Sequence, residues 1–109
     1  MEERNRGRYE IAGRKTIAEG QDLRVRQLTL TGGQAVPWHY HSAITDSFVG
    51  LKGATVVETR TPAGKTVLLP GEQCAVPPGQ AHKVYGQDGE GCSFLIIQGV
   101  GVYDFIAAD

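Results

Sequence analysis

The sequence predicts an all-β domain, built as a sandwich, jelly roll or small barrel. Three observations carry this. Glycine contributes 15 of 109 residues, about twice its usual share of roughly 7%. The glycines fall between short runs of β-branched and aromatic residues, the punctuation expected between strands. No window keeps apolar residues at i, i+3, i+4, i+7 for more than about two turns, so no amphipathic helix is expected. The alternative is a series of short strands at the spacing that double-layered and closed β architectures use.

The elements follow in order. Residues 1–15 are polar and charged, broken by Gly7 and Gly13, and read as a loose arm with one short strand around Tyr9–Ile11. The segment 22–31, DLRVRQLTLT, alternates at both ends, but Leu23 and Val25 share one parity and Leu28 and Leu30 the other. A one-residue slip near Gln27 would reconcile them, so a bulge is expected there. Residues 35–43 form the next strand, with Pro37 near its start or on an edge. Strands are then expected over 46–51, 54–60, 66–69, 74–76, 81–85, 92–98 and 101–106, separated by Gly- and Pro-rich turns such as Pro62-Ala63-Gly64 and Pro77-Pro78-Gly79. The reading is one domain over residues 16–109 preceded by the arm.

Composition excludes several classes. A net charge of -1 gives no electrostatic case for nucleic acid or an anionic membrane surface. No run of 18 apolar residues exists, so no membrane-spanning helix is expected. The first residues, MEERNRGRYE, lack the apolar core of a secretory signal. Cys74 and Cys92 are the two cysteines, too few and too far apart for a secreted disulfide scaffold. A cytoplasmic location is the expectation.

All three histidines fall in two glycine-bounded stretches. His39 and His41 are two apart, so on an extended strand their imidazoles point the same way. Asp46 follows after a segment that can turn the chain and bring its carboxylate to the same interior. His82 comes three residues after Pro77-Pro78-Gly79, where fixed proline φ and a permissive glycine limit the conformations available. Alone, a His-x-His is more often a pair of ordinary strand residues than a site. Three imidazoles and one carboxylate together suit Fe, Mn, Ni, Co, Cu or Zn, and suit calcium or magnesium poorly.

The same residues resemble the cupin superfamily. Its first motif is Gly, five residues, His-x-His, three or four residues, Glu, six residues, Gly. Gly33, His39, His41 and Gly53 fit it, with Asp46 in the Glu position. Its second motif is Gly, five residues, Pro-x-Gly, two residues, His, three residues, Asn. Gly71, Pro77, Gly79 and His82 fit it, with Gly86 in the Asn position. The resemblance implies a double-stranded β-helix, a jelly-roll-like barrel with a metal inside, held by His39, His41 and His82. Asp46 is one methylene shorter than the family's Glu, by roughly 1.3–1.5 Å of reach. It is expected to ligate the metal directly, to bind a metal-bound water, or to act as a catalytic base.

Other positions carry weaker readings. Trp38 and Tyr40 alternate with the histidines and should face away from them. Phe48 shares the parity of Asp46 and either lines the pocket or joins the core. Of Arg24, Arg26, Glu58 and Arg60, any that faced the metal would suggest a carboxylate-bearing substrate. Tyr85 and Tyr103 are possible hydrogen-bond donors to a substrate, and Val100, Phe105 and Ile106 read as core or dimer contact. The function these features point to is a small metal-dependent enzyme acting on an oxygen-rich small molecule, of isomerase, lyase or dioxygenase type. The alternative is a non-catalytic small-molecule binding or sensing module. The resemblance also implies a homodimer, with the arm reaching the partner.

Overall fold

The computed structural model describes residues 9–108. Within them run β1 (Gly13–Glu19), β2 (Leu23–Leu30), β3 (Ala35–Tyr40), β4 (Thr45–Lys52), β5 (Thr55–Thr59), β6 (Gly64–Leu68), β7 (Gln73–Val76), β8 (His82–Gly86), β9 (Cys92–Gly99) and β10 (Ile106–Ala107), with one 3-10 turn at Gln87–Gly89. One sheet has the order β1-β2-β9-β4-β7 and the other β10-β3-β8-β5-β6. All pairings are antiparallel. From β3 onward the chain passes back and forth between the sheets, which winds it into a double-stranded β-helix.

Alternation fills the space between the sheets. Leu28 and Leu30 of β2, Phe48 of β4, Val57 of β5, Leu68 of β6, Val84 of β8, and Phe94 and Ile96 of β9 are buried in one apolar cluster. Each such side chain stabilises the fold by about 1.5–3 kcal/mol relative to exposure.

Three expectations need correction. No strand forms at Tyr9–Ile11. The first strand begins at Gly13, inside the stretch read as an arm, and pairs with β2; the arm's residues 1–8 lie outside the described residues. This strand escaped sequence reading because nearly all its side chains are exposed, so no alternation marks it and its backbone ladder holds it in place. The expected bulge at Gln27 is absent as well. β2 pairs with β9 in unbroken register from Leu23↔Gly99 to Leu30↔Cys92, and the irregularity lies in β1, between Thr16 and Ala18. Unbroken alternation puts Arg24 and Arg26 on the same inward parity as Leu28 and Leu30. Finally, the strand expected over 101–106 shrinks to Ile106–Ala107. Residues 101–105 instead cross one end of the barrel, where Phe105 is buried while Val100 is 70% exposed.

Candidate metal centre

The histidines are delivered by two neighbouring strands of one sheet. β3 shifts register between Val36 and His39, and His39 then sits directly opposite His82 of β8. The shift falls at Pro37-Trp38, where proline offers no N–H to a ladder. It explains how Val36 and His39, of opposite parity, both point inward. His41 follows just beyond β3. Its carbonyl accepts a 2.8 Å hydrogen bond from the Gly79 N–H, tying the two motif stretches together. Gly79 has φ +84°, a conformation that favours glycine. Asp46 comes from β4 of the opposite sheet.

These four side chains meet. His39 and His41 are 2% exposed, His82 1% and Asp46 0%. Asp46 Oδ2 lies 2.8 Å from Nε2 of both His41 and His82 and 3.8 Å from Nε2 of His39. One ligand atom from each residue falls within 4.8 Å of all the others. The opposite edge of every ring is engaged by a backbone carbonyl. His39 Nδ1 is 2.7 Å from the Pro37 carbonyl, His82 Nδ1 is 2.9 Å from that of Gln80, and His41 Nδ1 contacts that of Asp104. A carbonyl only accepts, so each Nδ1 carries the proton and donates. In the neutral rings, each Nε2 then presents a lone pair to the interior.

Three lone pairs and a carboxylate oxygen therefore converge among side chains that are almost wholly buried. Without a cation between them this arrangement is repulsive; protons or a metal ion relieve it. The carbonyl bonds at Nδ1 are also how proteins orient metal-binding histidines. Burial opposes charge on Asp46, yet the imidazoles of His39, His41 and His82 hold its carboxyl well below the usual carboxylate range. Burial lowers the pKa of His39. His41 also loses by burial, but its contact with Asp46 outweighs this and raises it.

A second layer supports the carboxylate. Gln98 of β9 stands directly across from Asp46, and its Nε2 donates to Asp46 Oδ1 at 3.0 Å. Gln98 Oε1 accepts in turn from Nη2 of Arg24 at 3.3 Å and of Arg26 at 3.1 Å. The barrel end is covered by the segment after β9. Phe105 stacks on His39, with ring centres 4.4 Å apart and planes at 9°, and the Tyr103 ring lies 5.4 Å from that of His41. The Asp104 carboxylate accepts from the Ser42 N–H at 2.9 Å and from its hydroxyl, which fastens the segment beside His41.

The structure thus brings together His39, His41, Asp46 and His82. Arg24, Arg26 and Tyr103 stand beside them. Phe48 serves both the core and the site, its ring centre 6.0 Å from His82 and 5.9 Å from Phe94. Other candidates fall elsewhere. Tyr85 donates to Glu58 at 2.8 Å, away from the histidines, so it is not a donor at this centre. Arg60 covers the Trp38 ring at 3.9 Å. Cys92 is buried and Cys74 partly so, both as free thiols. Sequence reading missed Gln98, a polar residue at an inward position that continues the series Phe94, Ile96. It also missed the carbonyl of Asp104, for which no side-chain signal exists.

A double-stranded β-helix that gathers three histidines and a carboxylate in its interior defines a class of protein, and solved structures identify which one. A cupin-2 domain protein from Shewanella frigidimarina NCIMB 400 is 25% identical over 81% of this chain and 80% of its own, with a TM-score of 0.67. A conserved double-stranded β-helix protein from Klebsiella pneumoniae is 21% identical over 96% and 94%, with a TM-score of 0.75. Oxalate oxidase is 15% identical over 80% of this chain but 46% of its own, with a TM-score of 0.71. No protein-family model matches the sequence, and no curated protein matches it. By its fold the chain is a member of the cupin superfamily.

Proposed function

We propose that the chain is a metal-dependent enzyme acting on an oxygen-rich small molecule, with His39, His41, His82 and Asp46 holding a divalent transition metal. The observation that carries this reading is the convergence of three Nε2 lone pairs and one carboxylate oxygen, each imidazole fixed from behind by a carbonyl. Nitrogen-rich donors of this kind favour Fe, Mn, Ni, Co, Cu or Zn. Such an ion supplies Lewis acidity toward a substrate oxygen or a place for dioxygen. Asp46 fits the ligand role better than that of a free base. Oδ2 faces the imidazoles, Oδ1 is occupied by Gln98, and a carboxyl held so far down accepts a proton poorly at neutral pH.

The test is elemental analysis of protein purified without an affinity tag, beside a His39→Ala/His41→Ala variant. About one equivalent of metal, lost in the variant, is expected. Iron would direct substrate screens to dioxygenase chemistry; zinc, nickel or manganese would direct them to isomerase and lyase chemistry. Protein that takes up none of these metals, even on reconstitution, would refute the reading and favour a binding module.

A further inference from the structure

Arg24 and Arg26 are placed where arginine is costly. Both lie on the inward parity of β2, half-buried, and their Nε atoms are buried without a hydrogen-bond partner. The acceptor they share is a single neutral oxygen, Gln98 Oε1. Among the described residues, no carboxylate lies within ion-pair distance of either guanidinium. The Arg24 guanidinium lies 4.0 Å over the Tyr103 ring and that of Arg26 lies 6.0 Å from it. Burial and the adjacent Arg24 charge both disfavour the charge on Arg26. A guanidinium offers five N–H donors in a planar fork, and among the described residues the acceptor recorded for these two forks is Gln98 Oε1.

Charge and geometry point the same way. The anion nearest along the hydrogen-bond chain, Asp46, is already committed to the imidazoles. Two like charges withdrawn from bulk water need a compensating anion. A planar fork is matched by a carboxylate, which accepts two parallel N–H bonds from it. The pair is also the partly exposed end of a chain, Arg–Gln98–Asp46, whose other end is fully buried, so a ligand held by the arginines stands next to the centre.

We propose that Arg24 and Arg26 form a carboxylate-binding subsite beside the histidine centre, so that the molecule taken up is a small carboxylic acid. This rests on the reading of that centre as the place where a metal and its ligand are held. The Tyr103 ring, 4.0 Å from the Arg24 guanidinium, flanks the subsite.

The test uses malonate and its neutral analogue malonamide as probes, on metal-free and zinc-loaded protein. Binding is followed by calorimetry and by the arginine Nε–Hε signals in NMR, assigned with single variants. Malonate should shift the Arg24 and Arg26 signals saturably, and malonamide should not. Arg24→Gln and Arg26→Gln should each weaken malonate binding about tenfold or more, with zinc content by elemental analysis unchanged. Malonate binding that is undiminished in both variants, or that leaves both wild-type signals unmoved, would overturn the proposal. Tighter binding of inorganic phosphate than of malonate would overturn its carboxylate assignment. If a variant fails to fold, the wild-type NMR comparison decides. Stoichiometric zinc without malonate binding sinks this proposal alone, whereas malonate held by the arginines in protein that refuses zinc sinks only the metal reading.

Discussion

Replacing Gln98 by leucine asks how much the second layer contributes. The side chain is close in size but neither donates nor accepts. Asp46 Oδ1 would lose its 3.0 Å donor inside a residue that is 0% exposed, where water cannot substitute. A hydrogen bond to a charged group contributes about 1.5–3 kcal/mol. The two guanidiniums also lose the acceptor they share, and whatever that costs adds to this loss. Metal-free protein should therefore lose about 2–3 kcal/mol, which at roughly 4 °C per kcal/mol for a domain of this size lowers Tm by about 8–12 °C. Loss of a residue supporting a metal ligand typically weakens metal affinity 10–100-fold. Urea unfolding of metal-free protein measures the first effect, and zinc competition against a chelator measures the second. Gln98→Glu is the control, since it restores an acceptor for the arginines while setting a second negative charge against Asp46. A Gln98→Leu protein that loses less than about 0.5 kcal/mol and holds zinc as tightly as wild type would refute the reasoning, because an unpaired buried carboxylate oxygen cannot be that cheap.

Five further outcomes are expected. In metal-free protein, His39 disfavours its charged form, losing stability as pH falls through the ordinary imidazole value of about 6.5, whereas His41, raised, contributes stability that is lost as pH climbs above that value. The two oppose each other near neutrality, while the contribution of Asp46 persists above about pH 3.9 and disappears as pH falls through its depressed value; unfolding midpoints from pH 2 to 9 check both signs. Metal affinity should fall below about pH 7, as protons compete for the imidazoles, and chelator competition at several pH values measures it. Gly86→Ala should lower stability by about 1–3 kcal/mol, since a Cβ there would stand 1.8 Å from the Glu90 carbonyl oxygen; thermal unfolding tests it. Asp46→Glu, which restores the residue type of the motif, should weaken rather than strengthen zinc binding, because an added methylene drives the carboxylate into imidazoles already 2.8 Å away. If the chain pairs through the outer face of the β2-β9-β4 sheet, where Val25 and Ile97 face each other across the strands and Leu95 lies beside Val49, then Ile97→Lys should convert a dimer to a monomer by light scattering.

Much of this architecture was legible because two signals are local. Turn residues mark strand ends, and the glycine, proline and histidine spacings of two stretches mark the centre; these located β2 to β9 and the four clustered side chains. What escaped depends on partners distant in sequence. β1 is exposed along most of its length and exists through its ladder to β2, so its residues carry no alternation of their own. In β2, Leu23 and Val25 keep one parity and Leu28 and Leu30 the other, a pattern that predicts a slip in register. The unbroken ladder to β9 shows that the polar residues are inside, where Gln98 and Asp46 meet them. The segment over 101–105 has strand-like composition, but its polar groups are taken up by His41 and Ser42 instead of by a neighbouring strand.

The interior is divided along its strands, and this division has an energetic consequence. β2 runs from Arg24 to Leu30, β9 from Gln98 back to Cys92, and β4 from Asp46 to Phe48, each crossing from a polar end to an apolar one. The apolar end, with Leu28, Leu30, Phe48 and Phe94 almost wholly buried, stabilises the fold without help. The polar end withdraws two guanidiniums, a carboxylate and three imidazoles from bulk water, which is unfavourable unless each finds a partner. The free protein meets that need only in part, since the Arg24 and Arg26 Nε atoms go without one. A ligand that completes the set binds the folded state alone and must stabilise it by RT ln(1 + [L]/Kd), about 2.7 kcal/mol at a hundred times Kd. Substitutions should sort accordingly: Leu28→Ala or Phe94→Ala should lower stability with or without ligand, whereas Arg26→Gln should leave the metal-free protein nearly as stable as wild type and cut the gain that a carboxylate brings by about half or more.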